Sequence, residues 1–369
     1  MSEPDRSLSS EHRFPCETCG ADLRFDPGDD QLVCDHCGSI EPIDHGPWTR
    51  SVAVQEHDFR HAVEAGLGTA EMEETRVSTC PNCAAHVEFD PAVHAAECPF
   101  CATPVVTDTG VSRQIKPAAV LPFMLEETEA RVEMTRWLGS LWFAPNGLME
   151  YARKGRKLNG VYTPCWTFDA DTKSSYRGQH GTVYHESRTV TRNGKRQTIR
   201  VAKVRWRPVR GRVARFFDDV LIIASTALPD RFRKGLVHWD LTRLEPYQPE
   251  YLAGFRSEAY TIELREAFGE AREIMDRQIL RDVRFDIGGD RQRVEHVDTE
   301  ISDVTFKHIL VPVWIAAYRY RGRSFRFVVN GQTGQVAGER PWSAWKIAIA
   351  IVIGLVLAAM AGFVFANSR

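Results

Sequence analysis

The chain has 369 residues, 43% hydrophobic and 26% charged, with a net charge of −2 at pH 7. That balance hides a segregation: residues 1–110 carry 21 acidic and 6 basic side chains, a net of −15, and the remainder carries +13. A phosphate backbone repels so acidic an N-terminal part, which disfavours DNA binding by it.

The opening residues, rich in Ser, Glu and Asp, read as disordered. Two sets of paired knuckles follow: Cys16/Cys19 with Cys34/Cys37, then Cys80/Cys83 with Cys98/Cys101. Every cysteine of the second set lies 64 positions after its counterpart, and Phe25-Asp26-Pro27 recurs as Phe89-Asp90-Pro91. Each set offers four soft thiolates from tight turns, the donor set of a tetrahedral zinc site. Four thiolates close the shell, so two structural Zn2+ ions are expected and no catalytic one. Disulfides are disfavoured because no apolar signal stretch opens the chain, and thioredoxin-like pairs would need a β-α-β setting. His36, His45, His86 and His94 read as surface residues and not as ligands. The boundaries are a first zinc ribbon at 1–44, a linker at 45–78 and a second ribbon at 79–106. Within the linker, Gln55 to Leu67 places Phe59, Ala62, Val63 and Leu67 on one helical face, predicting a short helix packed on either zinc module. The acidic module could dock on the chain's own basic half or on a basic partner.

Residues 113–340 form a basic region long enough for one sizeable domain or two packed halves. Helices are predicted over about Glu126–Leu141 and Ile262–Val283. The second has Leu264, Phe268, Ala271, Ile274, Met275 and Ile279 along one face and stops before Gly288-Gly289. Each helix precedes a similar motif: Tyr162-Thr163-Pro164-Cys165-Trp166 resembles Leu310-Val311-Pro312-Val313-Trp314, and Tyr176-Arg177-Gly178 resembles Tyr320-Arg321-Gly322. Proline suits a strand's first position, so each motif opens an aromatic-rich strand. The fold expected is α+β: two tandem four-cysteine zinc ribbons, a mixed domain with antiparallel sheets and a possible internal duplication, and one C-terminal transmembrane helix. Cys165, the ninth cysteine, has no identifiable activating base and reads as a buried core residue.

Arg188 to Arg215 is the sharpest electrostatic feature. It holds Arg188, Arg192, Lys195, Arg196, Arg200, Lys203, Arg205, Arg207, Arg210, Arg212 and Arg215, with no acidic residue among them. Asn193-Gly194 marks a two-residue hairpin turn. Cations fall on both strand faces, so the tip is expected to project from the core, with Trp206, Phe216 and Phe217 anchoring its base. Three readings stand: a solvated face, an anionic lipid surface, or nucleic acid or another acidic partner. Asp218-Asp219 reads as an internal ion pair.

Ile347 to Ala366 is an uncharged apolar run of 20 residues, about 30 Å of helix, which matches a bilayer's hydrocarbon thickness. Trp342, Trp345, Arg340 and Lys346 flank it. The reading is a single-pass C-terminal anchor at 345–367 in the inner membrane, with the bulk of the chain cytoplasmic. No phosphate loop, His-Glu-x-x-His, Gly-x-Ser-x-Gly or dinucleotide fingerprint occurs, so the sequence supports no enzyme.

The motifs Pro164 to Ala170, Phe217 to Val220, Tyr251 to Phe255, Asp286 to Asp290, Asp303 to Leu310, Val329 to Gly334 and Gly338 to Pro341, behind two four-cysteine ribbons, resemble a bacterial group of membrane-anchored zinc-ribbon proteins. Its members are loosely labelled as transcription-factor-IIB-type zinc-ribbon or primosomal helicase-like proteins. The resemblance covers nearly the whole chain. It implies work beside flotillin-like and phage-shock-type membrane proteins, a recruitment role in envelope stress. The function expected is a non-enzymatic, tail-anchored adaptor whose ribbons dock protein partners; the alternative is a membrane-tethered nucleic-acid-binding or regulatory protein.

Overall fold

The computed structural model describes residues 14–43, 54–68, 71–88, 95–101, 103–106, 110–145, 158–192, 195–233, 235–236, 238–320, 323–339 and 342–367. The first cysteine set sits on a three-stranded antiparallel sheet, β1 (Leu23–Asp26), β2 (Gln31–Cys34) and β3 (Ile40–Pro42). A connecting segment carries β4 (His57–Asp58) and helix α1 (Phe59–Glu64). The second set is framed by β5 (Met72–Thr79), β6 (His86–Glu88), β7 (Ala95–Glu97), β8 (Pro104–Val106) and β9 (Gly110–Ile115). Then come β10 (Ala119–Val120), α2 (Glu127–Gly139), β11 (Asn159–Arg192), β12 (Lys195–Ile223), β13 (Glu245–Pro246) and β14 (Arg256–Ser257). Helix α3 (Leu264–Ile287), β15 (Arg291–Tyr320), β16 (Arg323–Asn330), β17 (Val336–Gly338) and α4 (Ala344–Asn367) complete the chain. The architecture is mixed α+β.

Three strands dominate. β11, β12 and β15 run for 34, 29 and 30 residues, lengths on the order of 100 Å at about 3.3 Å per residue. β11 lies between the other two, antiparallel to both. Helix α3 covers one face of this long sheet. Its buried residues Leu264, Ala267, Ala271, Met275, Ile279, Val283 and Ile287 recur at three and four, one continuous stripe. Ala267 and Ala271 let the helix axis approach closely, and Met275, Ile279 and Val283 each gain about 2 kcal/mol from burial. The stripe meets alternate residues of the strand, among them Ala170 and Tyr176. Gly288, at φ 64°, ends the helix where a side chain would be strained.

The sequence-predicted helices are present, although Ile274 faces out at 37% exposure while Val283 and Ile287 extend the buried stripe. Helix α1 forms as expected, with Asp58 Oδ1 accepting from His61 N at 2.6 Å. Its packing corrects the expectation. Phe59, Ala62, Val63 and Leu67 join the core beneath α3, not either cysteine module, and the Phe59 ring lies 4.4 Å from that of Phe268. The long sheet offers α1 an apolar seam, whereas each cysteine module spends its small apolar face on docking.

The two Pro-x-Trp motifs meet across the β11–β15 ladder. Tyr162 pairs with Pro312 and Pro164 with Leu310, so each motif faces the other about a local axis. The reciprocity extends outward. β10 runs parallel to β15, and β14 runs parallel to β11. Trp166 Nε1 donates to Ile262 O, just before α3; Trp314 Nε1 donates to Leu125 O, just before α2; both distances are 2.9 Å. Helix α2 packs with Trp314, Phe327 and Val329, and α3 packs with Trp166, Phe168 and Phe217. Each helix therefore covers strands that the other helix precedes in sequence.

Candidate metal centres

Each cysteine set converges. In the first, Sγ atoms of Cys16 and Cys37 lie 3.6 Å apart and those of Cys19 and Cys34 3.5 Å. In the second, Cys80 and Cys101 lie 3.5 Å apart and Cys83 and Cys98 3.7 Å. All four sulfurs of each set fall within 4.8 Å of one another. A tetrahedral ion with sulfur ligands at about 2.3 Å separates them by roughly 3.8 Å, so both sets fit one metal ion apiece. The separations are far beyond a disulfide bond at about 2.05 Å.

The knuckles share one backbone pattern. Cys16 N donates to Ala21 O, Cys34 N to Ser39 O, Cys80 N to Ala85 O and Cys98 N to Thr103 O, at 2.7–2.9 Å. A return bond follows from Gly20 N to Cys16 O, Gly38 N to Cys34 O and Ala84 N to Cys80 O. These donors turn with positive φ, at 76°, 75° and 57°. Glycine suits the first two; Ala84 bears the strain of a side chain in the left-handed region.

The electrostatics prepare both sites for a cation. The Ser39 hydroxyl, 3.0 Å away, holds the Cys37 thiol down at about 6. The Cys83 thiol, hydrogen-bonded to Cys98, holds Cys98 down at about 5 and is itself pushed up. Each set thus favours an anionic sulfur before any ion arrives, and a divalent ion would displace the remaining protons. Of the histidines, His36 is exposed and His86 is half-buried, with burial lowering its value; neither belongs to a cluster. His45 and His94 lie outside the described residues.

Both centres dock on one shared segment of the long-sheet body, Tyr251–Ala259, and each also packs on the body elsewhere, as where Gly28 N donates to Phe123 O at 3.2 Å. Phe25, fully buried, donates its N–H to Ala253 O at 3.0 Å, and its ring meets Tyr251 and Phe255 edge-on at 5.3 and 6.4 Å. Gly254, at φ 80°, leaves room for Arg24, whose Cγ would lie 2.7 Å from an added Cβ. Two to five residues on, Arg256 donates to Glu97 O at 3.1 Å, Glu258 bridges to Val87, and Ala259 N donates to His86 O at 2.9 Å. The Phe25-Asp26-Pro27 repeat therefore marks a docking residue in the first module; its counterpart Phe89 lies outside the described residues, and Phe100 is the buried ring of the second.

Glu258 is an unforeseen member of this segment. It is fully buried, accepts from Ser225 Oγ at 2.6 Å, and leaves Oε2 without a partner. Burial pushes its carboxyl up to about 8. Burial likewise pushes the Cys165 thiol well above its ordinary value. A second polar knot fixes the connecting segment. Lys307 Nζ lies 2.7 Å from Asp219, 3.1 Å from Glu56 and 3.8 Å from Asp169, whose carboxyl is raised to about 6 by burial. Asp219 is thus ion-paired, but to Lys307 and not to the basic stretch; Asp218 is exposed.

The basic stretch is the far end of the long strands. β15 stops pairing at Arg291, opposite Gly181, while β11 and β12 continue to Arg192↔Lys195 as a two-stranded ribbon. Eleven residues carry it about 36 Å beyond the third strand. The turn Asn193-Gly194 lies outside the described residues. The register puts Arg188, Lys203, Arg205 and Arg207 on one face and Arg196 and Arg200 on the other. Lys203 pairs with Glu186, Arg205 lies over the Tyr184 ring at 5.3 Å, and Arg215 forks onto Asp282 at 2.6 and 2.9 Å. Arg188, Arg196, Arg200, Arg207, Arg210 and Arg212 are exposed and, among the described residues, have no carboxylate partner. Trp206, under Arg293, and Phe217 anchor the base as expected; Phe216 does not, being 58% exposed on the solvent face.

No family model matches the chain, and no solved structure does. Among curated proteins, one from Bacillus subtilis (strain 168), named uncharacterized protein YdjG, is 26% identical over 341 residues. The match spans 91% of this chain and 92% of that protein. Helix α4 is long and apolar enough to cross a membrane, with a mean hydropathy of 2.8 over its best window and none of that window buried.

Proposed function

We propose that the chain is a non-enzymatic, tail-anchored membrane adaptor of the membrane-anchored zinc-ribbon group. Zinc fills both cysteine centres, which are ribbons in tandem, and α4 holds the body on the cytoplasmic face of the inner membrane. The observation that carries the reading is the union of three features on one body. A metal centre exposes two of its knuckle cysteines, Cys19 and Cys37; an apolar helix with no buried residue follows; and a cationic ribbon projects beyond the sheet. Four thiolates leave a metal no open position for substrate, so the ribbons serve as docking surfaces. The reciprocal packing of α2 and α3 supports a duplicated ancestry for the central domain.

Flotillin-like or phage-shock-type membrane proteins are the partners proposed, in envelope stress. The ribbon's unpaired arginines meet anionic lipid, each worth about 1 kcal/mol near such a surface. Purifying the full chain from crosslinked, detergent-solubilised membranes tests the adaptor reading. Recovery of flotillin-like or phage-shock-type partners, lost when Cys19 and Cys37 are replaced, is expected. Recovery of nuclease-sensitive partners alone would overturn it in favour of a membrane-tethered nucleic-acid-binding protein.

A further inference from the structure

The loop after α2, residues 141–145, lies against the first two turns of α4. Leu138, Leu141 and Trp142 on one side and Ile349, Ala350 and Ile353 on the other line an apolar groove of about 530 Å³, with Lys346 on its wall. Three contacts hold the loop there. Lys346 Nζ donates to Ala144 O at 2.8 Å, Ser343 N donates to Phe143 O at 2.8 Å, and the rings of Phe143 and Trp342 lie 6.4 Å apart. Trp142 is nonetheless 83% exposed, more than any other tryptophan described.

Hydrophobic length decides where this groove sits. Were the turns through Ile353 outside the bilayer, Gly354–Asn367 would remain, about 21 Å of helix against a hydrocarbon thickness of about 30 Å. The span closes only if Ile349 and Ile353 are inside. Ile353 lies about 10 Å along the axis from Lys346, and the loop that lines the groove with it reaches into the same range of depth. That depth, about 5–10 Å below the headgroups, is where interfacial apolar segments settle and where tryptophan is favoured.

We propose that residues 141–145 enter the leaflet beside α4 and that the groove takes an acyl chain of a phospholipid whose phosphate meets Lys346. The inference rests on α4 spanning a bilayer. The groove is continuous with the lipid-facing surface of α4 and lies within the range of small-molecule sites, about 300–1,000 Å³. Lys346 spends one of its three donors on Ala144 O, leaving two and its full charge for a phosphate oxygen. Two anchored points, α4 and Trp142, would also fix the tilt of the body that a single helix leaves free.

The test uses the full chain in native membrane vesicles, with photo-reactive benzoylphenylalanine in place of Trp142. The same probe replaces Leu355 within α4 and, separately, Ile40, which is 59% exposed on the first cysteine module. Phospholipid adducts found by mass spectrometry are expected at 142 and 355 and to be lost at 40. Adducts at 355 without any at 142, or protein adducts at 142, overturn the groove while the anchor stands. No lipid at either position overturns both, and equal yields at 40 and 142 overturn the specificity. Lys346→Gln should reduce the yield at 142 and leave 355 unchanged; an unchanged yield at 142 removes the phosphate contact.

Discussion

The two metal centres share their cysteine spacing and knuckle bonds, yet they are embedded differently. In the first, Cys19 and Cys37 are exposed, and the module meets the body through Phe25 and a few neighbours. In the second, Cys80, Cys98 and Cys101 are buried and Cys83 half-buried, in one core with Phe100, Cys165 and the central strands. Identical ligand patterns therefore need not have identical roles. The first centre is a rim module, where a metal would stabilise chiefly the module itself, and the second is a keystone, where a metal would stabilise the domain around it.

Loss of a ligand should separate the two most strongly. A structural ion contributes on the order of 10 kcal/mol to folding of such units. Cys98→Ser should lose one metal ion and leave much of residues 79–339 protease-sensitive. Cys37→Ser should lose one ion, with cleavage confined to the first module. Metal analysis with limited proteolysis reads both; matching cleavage patterns would erase the distinction.

Phe25→Ala tests docking without touching a ligand. Emptying a buried phenylalanine site costs about 3–5 kcal/mol. The first module should undock, its amides exchanging faster with solvent, while both metal ions stay bound. If the second module loosened equally, the shared segment Tyr251–Ala259 would transmit the damage, and the two centres would be one unit.

These contrasts were only partly legible in the chain. The cysteine repeat, the knuckle turns and the apolar run of α4 depend on local spacing, which sequence displays directly. Helix α2 was expected as a helical stretch, and α3 was legible through its 3.6-residue apolar period. The 34-residue length of β11 was not. Past Gly181 both its faces are polar or basic, so the period-2 signal that marks a strand disappears. The Tyr251–Ala259 dock was equally hidden, because its partners Phe25 and Val87 lie more than 150 residues away. Its one visible signal was Gly254 amid aromatics, a glycine that both its φ of 80° and the approach of Arg24 explain.

Glu258 probes the second centre's surroundings. Its folded value of about 8 lies above the ordinary carboxyl value of 4.5, so in that window the folded chain keeps a proton that the unfolded chain has released. Stability from this group therefore falls as pH rises from about 4.5 to about 8. Glu258→Gln, neutral and similar in shape, should match the parent near pH 5 and exceed it by about 4 kcal/mol near pH 9, on urea unfolding in detergent. A pH-independent difference would contradict the assignment. The smallest effect belongs to the segment between the modules: Asp58→Ala, which removes the α1 cap, should cost about 1 kcal/mol and leave both metal sites intact.

Metal release from the intact chain tests the central claim most directly. Protein loaded with zinc is mixed with a colorimetric chelator, and the released metal is followed against time. The account predicts two ions per chain leaving in two phases, the fast one absent from Cys37→Ser and the slow one from Cys98→Ser. A single phase shared by both centres, or fewer than two ions per chain, would contradict it.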